Sequence, residues 1–397
     1  MAERIDAFFS YGFRPFFLSA GLYAAVGMAA WMAWIGLHAA GGEVRVMSTA
    51  FPLFQWHAHE MLYGYTAAAI AGFLLTAVPS WTGRHPITGA PLAALFGVWV
   101  LGRIAVWFSN FLHPLAVAVA DVSFLAFLLA LVLKSLIGGK RRNFIFVGVL
   151  AVLIAGNVLV HLEQLKLTDG TTTVGHLLAL DTVILLIATI GGRVGPAFTR
   201  NALRRPGEPE PVPAWPWIDR ASVASVAAVL VADVVQPGGA AAGVLAALAA
   251  AANGIRLAGW RGLSVLDQPI LWIIHVGYGW LVVGLAAKGL ALLTGVTAEV
   301  TALHVLTVGA VGSMTLGIMT RAGLGHTGRP LRVAPSIVAA YVLVSFATVV
   351  RVGGPMWLPA YYNAAVLTAG IAWCVAFALF AWVYWPILTR PRIRGAD

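Results

Sequence analysis

Runs of about 20 predominantly apolar residues recur from one end of this chain to the other, each long enough to cross a hydrocarbon core of about 30 Å as a helix. Composition supports the same reading. Hydrophobic residues make up 60% of the 397 and charged residues 10%, against about 25% charged in soluble domains. The mean hydropathy is +0.88. The fold class is therefore all-α: a polytopic transmembrane bundle forming a single membrane domain over residues 1–397.

The breaks between runs predict twelve spans, near 16–36, 56–79, 91–110, 115–136, 144–162, 174–191, 219–235, 240–256, 269–290, 300–320, 335–351 and 361–386. Spans 1–6 fill about 1–198 and spans 7–12 about 218–397. The Pro-rich stretch 199–217, "TRNALRRPGEPEPVPAWPW", is the expected linker. The first run has no small-residue cleavage site, so it reads as a retained span and not a signal peptide. With the N-terminus in the cytoplasm, 20 of the 25 Lys and Arg fall on that side. Arg45, Lys166, Lys288 and Arg351 fall opposite, and Arg103 lies inside a span. This asymmetry predicts both termini inside. It also assigns the net charge of +10 to topology and not to nucleic-acid binding. A shift of 245 aligns His59 with His304, Gly64 with Gly309, Gly72 with Gly317 and Thr82–Arg84 with Thr327–Arg329, a possible internal repeat. The single cysteine, Cys374, excludes disulfides within the chain and multi-thiolate metal sites.

Topology turns the histidines into a pattern of depth. His57, His59, His161, His176 and His304 fall at the outer third of the membrane. Arg103, Glu60, Asp121 and Asp181 lie at similar depth. Ionisable groups in hydrocarbon are costly and mark functional sites, and neutral imidazole is the commonest metal ligand. The outer cluster is therefore a candidate metal site, with Glu60, Asp121 and Asp181 as candidate proton carriers. Glu60 shares a helical face with His57. Asn157, one turn before His161, is a candidate for orienting its ring. His275 lies nearer the cytoplasmic end, with Tyr278 one turn away, and His326 sits at the cytoplasmic end. Isolated histidines at interfaces are more often hydrogen-bonded caps, the expectation for His38, His85 and His113. No Cys-x-x-Cys-His occurs, which excludes a covalently attached haem in this chain. A non-covalent haem stays open, with Arg103 either meeting a propionate or pairing with Asp121.

Several segments carry a family resemblance: "FFSYGFRPFFLSAGLYA" at 8–24, "WHAHEMLYGYTAAAIAGFLLTAVPSWTGR" at 56–84, "GGRVGPAFTRNAL" at 191–203, "HVGYGWL" at 275–281 and "ALHVLTVGAVGSMTLGIMTRAGLGHTGRPL" at 302–331. In these the chain resembles the NnrS family, integral membrane proteins of the bacterial nitric oxide response. The resemblance implies haem b and copper, a bacterial inner-membrane location, and His57, His59, His275, His304 and His326 as motif histidines. It does not assign a metal to each.

Three functions follow as expectations. The first is reduction of nitric oxide to nitrous oxide at a metal site toward the periplasm, with electrons from a quinol or a separate donor protein. The second is nitric oxide binding or sensing without turnover. The third is transport, for which the repeat pairs span 2 with span 10 instead of the span 8 that two six-helix halves require.

Overall fold

The computed structural model describes residues 2–42, 48–137, 144–205, 210 and 212–393, and all regular structure in them is helical. Twelve long helices follow one another where spans are expected. They are α1 (Phe13–Ala39), α2 (Leu53–Thr82), α3 (Ala90–Trp107), α4 (Pro114–Leu136), α5 (Ile145–Gln164) and α6 (Thr171–Leu203). The others are α7 (Pro216–Val235), α8 (Ala240–Ala258), α9 (Pro269–Thr294), α10 (Glu299–His326), α11 (Pro335–Trp357) and α12 (Pro359–Leu388). Eleven are long and apolar enough to cross a membrane. The chain is thus an integral membrane protein. The exception, α7, carries Asp219, Arg220 and Asp233 within its 20 residues.

The helix ends follow local chemistry. Proline opens α4, α7, α9 and α11, where its missing N–H has no intrahelical partner to lose. His113 caps α4, its Nδ1 accepting from Leu115 N at 3.2 Å, as expected for an isolated interfacial histidine. Gly83 and Gly295 end α2 and α9 at φ 70° and 65°, the left-handed turn that favours glycine. The expected linker begins inside α6, which runs to Leu203, and its residues 206–209 and 211 lie outside the described residues. So do Arg45 and the basic turn 138–143.

Among the described residues, three of these helices contain a π-helical segment. Glu60–Thr66 in α2, Ile187–Gly191 in α6 and Val305–Val311 in α10 are π-helical. The α2 and α10 segments are related by the same shift of 245 that aligns His59 with His304, so the repeat extends to a shared backbone irregularity. His176, Pro196 and Thr199 of α6 stand 117 residues after His59, Pro79 and Thr82. Thr82, Thr199 and Thr327 each donate to the carbonyl four residues back, at 2.9, 3.0 and 2.6 Å.

The chain forms two compact units. The first contains Met1–Ala179, Met319–Pro330 and Phe377–Asp397. Its helices approach closely at glycine: a Cβ on Gly156 of α5 would lie 2.6 Å from Tyr63 Oη and 2.8 Å from Gly175 O. The second contains Leu180–Ile318 and Leu331–Ala376. There the small-residue face of α8 meets α9, and a Cβ on Gly289 would lie 3.0 Å from both Ala247 N and Gly243 O. Small residues allow such backbone contact between helices in lipid.

Candidate metal centre

In the first unit, polar residues on α2, α3, α4 and α5 converge on one point. α2 supplies His59 and Glu60, α3 Arg103, α4 Asp121, and α5 Asn157 and His161. None of the six is more than 5% exposed. The α2 π segment begins at Glu60, and a π turn inside a long helix often marks a functional site. Trp99 Nε1 donates to the Gly64 carbonyl of that segment at 3.1 Å. A Cβ on Gly64 would lie 3.1 Å from Arg103 Nη1, so glycine there leaves room for the guanidinium.

Asp121 is the hub. Its Oδ1 accepts from Arg103, and its Oδ2 accepts from Asn157 Nδ2 and His161 Nε2, both at 2.9 Å. His59 Nε2 stands 3.1 Å from the same Oδ2 and 3.0 Å from Asn157 Oδ1. Glu60 Oε1 accepts from Arg103 and lies 2.9 Å from His59 Nδ1.

Both ring nitrogens of His59 therefore face oxygen acceptors, whereas a neutral imidazole carries one N–H. The network needs one proton beyond those of neutral imidazoles and ionised carboxylates. Formal charge agrees: one guanidinium against two carboxylates leaves one negative charge in a medium that penalises it. A proton held between Glu60 and His59 meets the deficit, and so does a cation at His59 Nε2.

Donor atoms from His59, Asp121 and His161 all lie within 4.8 Å of one another. Ligands about 2.1 Å from a common ion at tetrahedral to octahedral angles stand about 3.0–3.4 Å apart. The His59 Nε2 to Asp121 Oδ2 distance of 3.1 Å is already in that range. With an ion at Nε2, Nδ1–H would point at Glu60, a carboxylate–histidine–metal series that fixes ring orientation. His176 adjoins the group. Its ring centroid is 6.5 Å from that of His59, and its buried Nε2 has no hydrogen-bond partner among the described residues.

The other expected residues sit elsewhere. His57 stacks on Trp31 at 4.7 Å and 10°, so the two histidines of "WHAHEM" diverge. Glu60 meets His59 and Arg103 instead of His57. Asn157 orients His59 across the helix interface and not His161 on its own helix. Asp181 belongs to the second unit, with Lys288 Nζ 3.7 Å from its Oδ1. Lys288, which the topology count places on the side opposite the termini, is itself fully buried and not a loop charge.

His304, also in the second unit, has Nδ1 2.6 Å from Val300 O of its own helix. His275 Nε2 is 2.8 Å from Thr199 Oγ1. Tyr278, expected beside it, donates to Asn253 Oδ1 at 2.6 Å and accepts from Arg256 Nη1 at 3.1 Å. Arg256 also donates to Ala188 O of the α6 π segment at 2.7 Å. His326 is exposed and stacks on Tyr11 at 5.9 Å.

Comparison with known families gives one result. The model of the family described as NnrS protein matches residues 7–392. No curated protein matches the chain.

Proposed function

Because the chain belongs to the NnrS family, membrane proteins related to the nitric oxide response, we propose that it removes nitric oxide by reduction at the His59–Asp121–His161 centre. Two nitric oxide molecules, two electrons and two protons give one nitrous oxide and one water. The observation that carries this reading is the set of two imidazoles and one carboxylate, closed off from water and backed by Glu60, Asn157 and Arg103.

The donor set fits copper, one of the two cofactors that the family resemblance implies. Imidazole suits copper, and a monovalent ion brings the formal charge of the centre to zero. Copper bound by His59, His161 and Asp121 supplies one-electron chemistry next to a bound gas molecule. Haem b fits these residues less well. His176 offers a ring nitrogen, but Arg103, expected to meet a propionate, is committed to Glu60 and Asp121. No step is derived through haem.

The protein's own groups hold the site ready. Before an ion is bound, Asn157 holds the His59 ring through Nε2, the contact that the ion would replace, and Asp121 through Oδ2. Arg103 balances both carboxylates without occupying His59 or His161. The Glu60–His59 pair holds a proton at the Oε1···Nδ1 contact, in place for release to a product oxygen. Nitric oxide is small and apolar, so it reaches the centre from the lipid. The electron donor is a quinol or a separate protein. The location is the bacterial inner membrane, with the centre on the periplasmic side.

The test is anaerobic turnover of purified, copper-loaded, reduced protein with excess nitric oxide. Many nitrous oxide molecules per protein support the proposal. Consumption of about one equivalent with no nitrous oxide would replace it with capture without turnover.

A further inference from the structure

The second unit holds a buried ionic cluster that the metal centre does not use. Lys288, on α9, is fully buried. Its Nζ donates to Asp233 Oδ2 of α7 and lies 3.7 Å from Asp181 Oδ1 of α6. Asp233 and Asp181 are buried as well, and each keeps one carboxylate oxygen, Oδ1 and Oδ2 respectively, with no hydrogen-bond partner among the described residues. The remaining charged group acting on Lys288 is Glu299, the first residue of α10. Its Oε1 is also buried without a partner.

These groups are graded in depth along their own helices. At about 1.5 Å of rise per residue, Asp233 lies about 3 Å from the end of α7 at Val235. Lys288 lies about 9 Å from the end of α9 at Thr294, and Asp181 about 15 Å from the start of α6 at Thr171. Glu299 stands at the mouth, next to the exposed turn 293–296. One ammonium against two buried carboxylates leaves one uncompensated negative charge, and the two bare oxygens are where a neutralising group would bind. Ionisable groups placed this way in membrane helices mark proton or ion pathways. The ammonium already occupies the position that a metal ion would take, and no imidazole is present. One further positive charge, the charge of a single proton, balances the cluster.

We infer that Asp181, Asp233 and Lys288 form a proton-exchange site within the second unit, loaded through Glu299. The proton passes from water to the Glu299 carboxylate and then to a bare oxygen of Asp233 or Asp181. Lys288 stays an ammonium and holds both carboxylates in place, so one proton is stored with no net charge. The site stands on its own geometry, whether or not the metal centre reduces nitric oxide.

Infrared difference spectra of the full chain in lipid nanodiscs, recorded across a pH step without metal or nitric oxide, test it directly. Wild type is expected to show a protonated-carboxyl band that titrates with pH and shifts in deuterated water. Asp181→Asn and Asp233→Asn should each remove that band. Should those variants fail to fold, Glu299→Gln at the partly exposed mouth is the second arm. It should leave the band's amplitude intact and slow its deuterium exchange by about a hundredfold, the lower end of what a positioned acid–base group contributes. Absence of a titrating band in wild type, the same band in both Asn variants, or an unchanged exchange rate in Glu299→Gln would overturn the assignment. A band that follows sodium at fixed pH and ignores pH would make it a sodium site instead.

Discussion

The first unit gathers one guanidinium, two carboxylates and two imidazoles from four helices. The second gathers one ammonium and two carboxylates from three. Each is one positive charge short, yet they are built to hold different things. Arg103 spreads its charge over a planar fork and bridges Glu60 and Asp121 from one side, leaving the imidazole nitrogens of His59 and His161 to converge with Asp121 Oδ2. Lys288 is a point charge placed between its carboxylates, where a metal ion would otherwise sit. On the two proposals, placement of the resident cation, more than the number of acids, separates a metal centre from a proton store.

The largest contrast should come from removing ligands. Asp121→Ala and His161→Ala should each lower bound copper from about one equivalent to near zero, because two protein donors do not make a closed site. Asp233→Asn, in the other cluster, should leave copper at the wild-type level. Metal analysis on purified protein reads both. Equal copper loss from both clusters would collapse the distinction.

Removing the resident cations sharpens it next. Arg103→Met and Lys288→Met each leave two buried carboxylates uncompensated, which costs about 3–5 kcal/mol. Copper loading should restore part of the loss in Arg103→Met and none in Lys288→Met, as thermal melts with and without the metal would show. Similar rescue of both variants contradicts the assignment of copper to the first unit.

Glu60→Gln is a smaller change in the same place. The amide keeps the size and removes the negative charge behind His59 Nδ1, so copper affinity should fall about 10- to 100-fold with the fold intact. The proton between Glu60 and His59 predicts a sign as well. Copper at Nε2 displaces about one proton per ion, so wild-type affinity should rise with pH, and that slope should flatten in Glu60→Gln. Competition titrations at several pH values measure both effects.

Much of this was legible in the chain. Helix positions follow from apolar runs of bilayer length, and His59, Glu60, Arg103, Asp121, Asn157 and His161 stand out because polar residues are scarce inside such runs. The loop charges supply an expected depth as well. Azimuth was not legible. A helix that is apolar all round gives no phase, so His304 and Asp181, expected at the depth of His59, make their contacts in the second unit instead. Lys288 was misread for a related reason: near the end of an apolar run it looks like a loop charge. The aspartates that bury it lie 55 and 107 residues earlier.

The smallest expected effect concerns the other histidine of the α2 motif. His57 lies two residues before His59, and sequence reasoning gives it equal standing as a ligand. Its ring instead lies flat against Trp31, and Trp31 stacks in turn on Trp34 at 5.1 Å. Loss of the imidazole should therefore cost aromatic packing, about 0.5–1.5 kcal/mol, and no metal. His57→Gln should bind one equivalent of copper with wild-type affinity and melt slightly earlier, whereas His59→Gln should lose the metal. Measuring the two variants side by side tests whether imidazoles two residues apart on one α-helical turn, and so on opposite faces, have different roles. Copper loss in His57→Gln comparable to that in His59→Gln would place both rings on one ion and require α2 to enter the site differently from the arrangement described.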